Sequence, residues 1–229
     1  MRHRRPGGGP RFVLFDLYDT LVGFDLPSVE RARADVLARC GLTHAALEAA
    51  EVATKRQRMR GEFGDLEGEL AAVLRAAGVD PDRELLAAFS AAELRAWRDA
   101  AIVYDDVVPC LDELRGRQVQ LGLISNCTRL TRPLLRDWGL ENRFDELILS
   151  CEVGYAKPDP AILEQAVGRF GGVPEGGMLI DDMEEYVVAA ETYGLAVCHI
   201  ARGQAAESNG RTVIGDLRQL TDLLAEPGG

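Results

Sequence analysis

The stretch that decides the fold is Arg11-Phe12-Val13-Leu14-Phe15-Asp16-Leu17-Tyr18-Asp19-Thr20-Leu21. Its apolar run, Phe12 to Phe15, is typical of a buried strand, and Asp16 stands at the carboxyl end of that run. Ligands and catalytic groups gather at the carboxyl ends of strands in open α/β sheets. A carboxylate in that position, with the hydroxyl of Thr20 close behind it in the chain, predicts a nucleophile with a hydrogen-bonding neighbour.

Composition argues against several classes of protein. The chain has 229 residues and a formal net charge of -11, which disfavours a nucleic-acid partner because nucleic-acid-binding proteins carry a basic face. No apolar stretch approaches the roughly 20 residues that span a bilayer. The five cysteines form no C-x-x-C pair, which favours reduced thiols and a cytoplasmic location over a disulfide framework or a zinc site. We therefore expect a small anionic substrate, with neither nucleic acid nor membrane as a partner. The sequence does not indicate the oligomeric state.

The chain divides into an α/β core and a helical insert. Residues 1–10 are basic and glycine-rich with no apolar segment after them, which predicts a flexible tail and not a signal peptide. Residues 26–100 contain helical runs separated by glycine and proline, without the alternation typical of strands. Residues 11–25 and 101–229 are expected to form the core. Within it, short apolar runs alternate with helical stretches, which predicts a parallel sheet with helices on both faces. The runs are Val119–Ile124, Leu147–Ser150, Met178–Asp181 and Ala196–Ile200.

Four polar sites each follow a predicted strand. They are Asp16, Ser125-Asn126, Lys157 and Asp181-Asp182. Taken singly, each has a plainer explanation as a turn, a helix cap or a solvated lysine. In a parallel sheet, however, all four loops emerge at one edge, so the groups can converge. A carboxylate that attacks, a hydroxyl that holds an anionic oxygen, an ammonium group and an acidic pair for a divalent metal then form one coherent chemistry.

In this order the four segments resemble the motifs of the haloacid dehalogenase (HAD) superfamily. The segments are Phe15-Asp16-Leu17-Tyr18-Asp19-Thr20-Leu21, Ile124-Ser125-Asn126, Ala156-Lys157-Pro158-Asp159-Pro160 and Ile180-Asp181-Asp182. The helical insert stands where many members carry an α-helical cap after the first motif. The resemblance implies a Rossmann-like core with this cap inserted, an aspartyl-enzyme intermediate and, in most members, Mg²⁺ as the cofactor.

The resemblance also implies a role for each matching residue. Asp16 would be the nucleophile and Thr20 its hydroxyl neighbour, Ser125 would bind a substrate oxygen, and Lys157 would pair with Asp16 and the incoming anion. A metal would lie among Asp16, the backbone carbonyl of Tyr18 and the acidic pair Asp181-Asp182, with Asp182 the principal acid. The side chains of Tyr18 and Asn126 are expected to contact the substrate.

Tyr18 departs from the phosphatase pattern. Superfamily phosphatases place a second Asp two residues after the nucleophile, and such general acid–base help is worth about 10²–10⁴-fold. Tyrosine there is typical of the L-2-haloacid dehalogenases, whose halide leaving group needs no proton. Arg56 and Arg58 in the cap would then supply the arginine that these enzymes use near the halide, although a solvated helix face is the plainer explanation for the basic cluster.

Other positions point away from a dehalogenase. Asp181-Asp182 is a metal-type motif, whereas dehalogenases have a Ser-Ser-Asn type motif and need no metal. Leu163 stands where they carry a tyrosine. The phosphatase motif is itself incomplete, because Tyr186 replaces its second acid.

Three functions therefore remain open. The preferred one is a Mg²⁺-dependent phosphatase acting on a small organic phosphate. The alternatives are a 2-haloacid dehalogenase-type hydrolase and a catalytically weak binding or regulatory protein. The feature that separates them is whether Asp16 is open to metal and substrate or covered by the side chain of Tyr18.

Overall fold

Strand β1 (Phe12–Phe15) is the centre of the fold, and all four of its side chains are completely buried in the computed structural model. The structure describes residues 9–203 and 208–224, so most of the predicted tail, residues 1–10, lies outside the described residues. Val13 and Phe15 belong to the apolar core on one face of the sheet, and Phe12 and Leu14 to the core on the other face. A strand buried on both faces explains why its sequence is continuously apolar.

The described residues form one six-stranded parallel sheet and one short antiparallel pair. The other strands are β2 (Val22–Phe24), β3 (Ala101–Val103), β4 (Gln120–Ser125), β5 (Glu146–Leu149), β6 (Gly177–Asp181), β7 (Ala196–Ile200) and β8 (Thr212–Ile214). The parallel sheet has the order β5-β4-β1-β6-β7-β8. Strand β1 thus lies between β4 and β6, where the strand order changes direction, which is the usual ligand position in this type of sheet.

Helices cover both faces of this sheet, as predicted. They are α5 (Val107–Gly116), α6 (Thr131–Asp137), α7 (Ser150–Val153), α8 (Pro160–Arg169), α9 (Glu184–Tyr193) and α10 (Leu217–Leu223), and they take these numbers because four earlier helices precede them. Helices α5 and α10 pack on one face through Leu111 and Leu217, and α8 and α9 on the other through Ile162 and Ala190. The fold is therefore a Rossmann-like α/β fold.

The four earlier helices lie between β2 and β3. They are α1 (Leu26–Cys40), α2 (His44–Met59), α3 (Leu66–Ala76) and α4 (Arg83–Ala100). The hydroxyl of Thr43 caps α2 by accepting a hydrogen bond from the Ala46 amide, and Asp65 and Asp82 cap α3 and α4 in the same way. We refer to residues 26–100 as the cap.

The cap joins the core through the antiparallel pair of β2 and β3, in which Val22 lies opposite Val103. Sequence analysis missed this pair and β8, because each strand has only three residues and its pairing depends on a distant partner. Leu130 and Leu134, at the start of α6, belong to the apolar cluster of the cap, so cap and core pack directly together. Across the described part of the chain, no helix is both long and apolar enough to span a bilayer.

Candidate active site

Three of the predicted site residues lie at the carboxyl ends of adjacent strands. Asp16 follows β1, Ser125 ends β4 and Asp181 ends β6. The backbone amide of Asp16 donates to the carbonyl of Ile180 at 2.9 Å, which extends the β1–β6 pairing to the acidic residue itself. Strand pairing therefore places Asp16 between the hydroxyl of Ser125 and the carboxylate of Asp181.

Lys157 links two of these strand ends. Its Nζ donates to Asp16 Oδ1 at 2.7 Å and to Asp181 Oδ2 at 2.5 Å, and the residue is only 4% exposed. Burial opposes the charged form, but the two carboxylates outweigh burial and raise the pKa of Lys157 above its ordinary value. The lysine is therefore a fixed ammonium group beside Asp16.

Asp16, Asp181 and Asp182 form a carboxylate cluster whose possible ligand atoms lie within 4.8 Å of one another. Burial raises the pKa of Asp16 to about 6, against the opposing charge of Lys157. Burial and the charge of Asp16 together raise the pKa of Asp182 to about 6. Carboxyl groups that lie close enough to raise each other's pKa provide oxygen ligands suited to a hard divalent cation.

Within this cluster, Asp181 differs from the other two acids. Its Oδ2 accepts from Lys157, and its Oδ1 accepts from the backbone amide of Met183 at 2.9 Å. Both oxygens already have partners, so the geometry fits Asp16 and Asp182 better as metal ligands than Asp181, which holds the lysine. This geometry favours the predicted role of Asp182 as the principal acid of the pair.

The hydroxyls of Thr20 and Ser125 are completely buried. Neither oxygen has a hydrogen-bond partner among the described residues. Buried polar atoms in folded proteins nearly always have a hydrogen-bond partner. A buried hydroxyl without one, next to a predicted nucleophile, is explained by a ligand that bonds to it there. Both side chains therefore suit a ligand oxygen.

The side chain of Asn126 is bonded to the main chain of Lys157. Its Oδ1 accepts from the Lys157 amide and its Nδ2 donates to the Lys157 carbonyl, both at 2.7 Å. The residue borders the cavity described below, but this pair of bonds shows that it positions the lysine main chain. Asn126 therefore has a positioning role, and its predicted contact with substrate stays a prediction.

Tyr186 is a neighbour of the site that sequence reasoning did not identify. Its hydroxyl lies 3.1 Å from Asn126 Nδ2, and its ring centroid lies 4.8 Å from Lys157 Nζ. The sequence marked this position only as one that lacks an acid. No local signal indicates that the ring lies beside the lysine, because the contact joins α9 to a loop that is distant in the sequence.

Tyr18 does not hydrogen-bond to the nucleophile. Its hydroxyl lies 2.7 Å from the hydroxyl of Thr131, and its ring packs against Phe24 at a centroid distance of 5.6 Å. Burial raises the pKa of the Tyr18 phenol above its ordinary value, so the phenol stays protonated near neutral pH. The side chain forms part of the wall of the cavity described below. It therefore does not replace the carboxylate that would transfer the proton.

A cavity of about 450 Å³ lies between the cap and the core. Tyr18 and Asn126 line it from the core, and Arg58 lines it from α2. Arg58 is buried, with its Nε 3.5 Å from Glu69 Oε1, whereas Arg56 is exposed and is not among the lining residues. Of the two arginines predicted to contact substrate, only Arg58 borders the cavity. The prediction for Arg56 is corrected, because the two side chains leave α2 in different directions.

Comparison with known proteins agrees with this arrangement. Residues 10–193 match the family model described as haloacid dehalogenase-like hydrolase. The chain is 29% identical to the glyceraldehyde 3-phosphate phosphatase of Methanopyrus kandleri over 93% of this chain and 97% of that protein. It is 29% identical to a phosphoglycolate phosphatase of Pseudomonas putida over 97% of this chain and 82% of that protein.

Solved structures include both phosphatases and dehalogenases with this fold. A 2-haloacid dehalogenase from Pseudomonas syringae superposes with a TM-score of 0.73 at 23% identity, covering 94% of this chain and 98% of that chain. A HAD phosphatase from Thermococcus onnurineus has a TM-score of 0.68 at 21% identity, covering 95% of this chain and all of that chain. At such identities these two structures show the shared fold and do not select a reaction.

Proposed function

Because the chain belongs to the haloacid dehalogenase-like hydrolases, we propose that it is a Mg²⁺-dependent phosphatase that acts on a small organic phosphate. The observation that carries the proposal is the placement of Lys157 Nζ 2.7 Å from Asp16, with the Asp182 carboxylate in the same cluster. A nucleophile, a fixed cation and a second acid are the groups that phosphoryl transfer requires. The names of the two relatives above support the same reaction.

Asp16 would attack phosphorus, and the bond between phosphorus and the leaving oxygen would break. The ammonium group of Lys157 and the unpartnered hydroxyl of Ser125 would stabilise negative charge on the transferring group. Bound Mg²⁺, held by Asp16, Asp182 and the backbone carbonyl of Tyr18, would supply further neutralisation of that charge. Water would then release phosphate from the aspartyl intermediate.

The second step should be the slower one. No carboxylate stands at position 18 to activate water, and the phenol of Tyr18 is hydrogen-bonded to Thr131. We therefore expect a burst of alcohol release, followed by a slower steady rate. A linear progress curve from the first turnover would contradict this order of rates.

Tyr18 favours a second candidate, hydrolysis of a carbon–halogen bond. Halide leaves without a proton, so a site without a general acid suits this reaction. The carboxylate of Asp182 argues against it, because without a metal this group would add a further negative charge beside Asp16 and an anionic substrate. We therefore rank dehalogenation second.

One assay separates the two candidates. Phosphate release from a metabolite panel and chloride release from 2-chloropropionate are measured with Mg²⁺ and with a chelator. The proposed phosphatase should need Mg²⁺, and Asp16→Asn should lower its rate by about 10⁴-fold or more, as expected for loss of a nucleophile. Asp35→Asn, which changes an exposed carboxylate in α1, is the matched control and should leave the rate unchanged. Chloride release that persists with chelator would overturn the phosphatase proposal.

The proposal includes a small anionic substrate and a cytoplasmic location. The five cysteines are free thiols, which supports a reducing compartment.

A further inference from the structure

We propose that the cavity between cap and core holds the aromatic part of the substrate, so that the substrate class is the phosphate monoesters of phenols. This inference rests on the proposed phosphatase function and specifies its substrate.

The size of the cavity exceeds what the substrates named for the relatives need. A volume of about 450 Å³ lies in the range that accommodates a small organic ligand. The two-carbon glycolate group and the three-carbon glyceraldehyde group would leave most of it unfilled. A one- or two-ring aromatic group fits this volume better.

The wall of the cavity contains a contiguous aromatic cluster. Phe24 lies at its centre, with its ring 4.9 Å from that of Trp97 in an edge-to-face arrangement and 5.6 Å from that of Tyr18. Leu130 and Leu134 continue the apolar surface on the core side. Such a wall favours an aromatic occupant, because rings pack edge-to-face or offset against one another.

The charged residues that line the cavity do not cover this apolar surface. Glu48 and Lys55 are exposed to solvent, and Glu51 accepts a hydrogen bond from Arg33 at 3.0 Å. Arg58 lies beside Glu69. These charges therefore lie at the solvent side or in ion pairs, and they do not demand a polyhydroxylated substrate.

The cavity adjoins the reaction centre through shared loops. Tyr18 lies two residues after Asp16, and Asn126 directly follows Ser125, and both border the cavity. The Asn126 side chain also bonds to the Lys157 main chain at 2.7 Å, so the cavity lies next to the reaction centre. In this proposal the phosphoryl group lies at Asp16 and Lys157, and the ester group lies in the cavity.

The chemistry of the leaving group also favours an aromatic ester. The described residues place no carboxylate at the position of Tyr18, whose phenol is held by Thr131. An aliphatic alkoxide is a poor leaving group without a proton donor, whereas a phenolate is stable enough to leave unprotonated. Tyr18, which forms part of the aromatic wall, thus occupies the position of the acid that hydrolysis of an aliphatic ester would need.

The balanced reaction follows from these groups. An oxygen of Asp16 forms a bond to phosphorus, and the phosphorus–oxygen ester bond breaks with its electron pair going to the phenolate oxygen. The phenolate takes a proton from solvent. Water then adds to phosphorus, the bond to Asp16 breaks, the carboxylate is regenerated, and phosphate and one proton are released.

The test combines binding with turnover. In the presence of Mg²⁺, calorimetry compares 1-naphthylphosphonate with methylphosphonate, neither of which can be hydrolysed at an ester bond. Turnover compares 1-naphthyl phosphate with phosphoglycolate. Both are measured on the wild type and on Val52→Glu, which places a charge in the cavity wall at a side chain that is 68% exposed and therefore tolerant of change. Ala53→Glu adds the same charge at the next exposed position of α2, outside the lining, and is the matched control.

We expect 1-naphthylphosphonate to bind about tenfold more tightly than methylphosphonate, or better. This gain in affinity is smaller than the gain that full burial of an aromatic group can provide. Val52→Glu should remove most of that preference, and Ala53→Glu should retain it. The kcat/KM ratio of 1-naphthyl phosphate to phosphoglycolate should fall in parallel.

Equal binding of the two phosphonates, or a preference that Val52→Glu leaves intact, would overturn the inference. Asp16-dependent release of phosphate from phosphoglycolate would in that case still support the phosphatase proposal. If the naphthyl ligand binds and no ester is hydrolysed, the phosphatase proposal fails and the substrate class fails with it.

Discussion

Lys157 on the core side and Arg58 on the cap side are both buried cations, yet they are held differently. Lys157 contacts two carboxylates at 2.7 Å and 2.5 Å, and its main chain is bonded at both ends by Asn126. Arg58 has one carboxylate at 3.5 Å, and its Nε has no hydrogen-bond partner among the described residues. On the core side, Lys157 thus forms a network with Asp16, Asp181 and Asn126, whereas on the cap side Arg58 retains unused hydrogen-bonding capacity.

This difference separates chemistry from recognition. Strand pairing determines the core network, so its groups are already aligned before a ligand arrives, as electrostatic catalysis requires. The cap side borders an open cavity with an apolar wall. We infer that the reaction belongs to the core and the choice of substrate to the cap.

The largest effect expected from this comparison concerns the stability of the core network. Lys157→Met leaves the buried carboxylates of Asp16 and Asp181 without a cation, and breaking a buried ion pair costs about 3–5 kcal/mol. Urea unfolding near neutral pH measures this loss. The loss should shrink in acid, because carboxyl groups without a cation take up protons.

Lys55→Met is the matched change on the cavity rim, where the lysine is exposed. It should alter the free energy of unfolding by less than about 0.5 kcal/mol, as is usual for an exposed position. Equal losses in the free energy of unfolding for Lys157→Met and Lys55→Met would contradict the proposed difference between core and cap.

A smaller effect is expected at Ser125, and it separates activity from stability. The hydroxyl is buried without a partner, so Ser125→Ala removes an unsatisfied group and should leave the free energy of unfolding unchanged or slightly higher. Phosphate release should fall by about 10²-fold, the scale of one lost donor to a developing charge. Steady-state kinetics and urea unfolding on the same variant test this. A loss of stability equal to the loss of activity would show a structural role instead.

The smallest effect concerns the binding of Mg²⁺ as a function of pH. Burial raises the pKa of Asp16 and of Asp182 to about 6 in the metal-free protein. Protons compete with the cation for these oxygens, so acidification through that pKa weakens binding. A single such group predicts an affinity loss of about tenfold between about pH 7 and about pH 5. Calorimetric titration with Mg²⁺ measures it, and Asp182→Asn should reduce the affinity at every pH. An affinity that is independent of pH would contradict the assignment.

Much of the core was predictable because its signals are local. The apolar run ending at Asp16 predicts a strand with an acid at its carboxyl end, and strand β1 ends one residue before Asp16. The predicted run Ala196–Ile200 coincides with β7, since its alternation and flanking glycine lie within a few residues. Once the strands are parallel, their carboxyl ends share one edge, and the meeting of Asp16, Ser125 and Asp181 follows.

Other features required contacts between distant parts of the chain. The strands β2 and β3 are too short to have a period, and each becomes a strand only because the other pairs with it across the cap. Asn126 contacts the Lys157 main chain, and Tyr186 of α9 lies beside the ammonium group, only because segments distant in the sequence meet after folding.

The sequence by itself determined the alternation of strands and helices in the core, the family, and the strand ends where polar groups gather, because hydrophobic periodicity and chain order are properties of the sequence alone. Only the tertiary structure decided that Arg58 and not Arg56 borders the cavity, that Tyr18 bonds to Thr131, and that aromatic rings from the core and the cap form one wall. The physical reason is that side-chain direction and cavity shape arise when the cap packs on α6, and that packing joins residues with no local relation in the sequence.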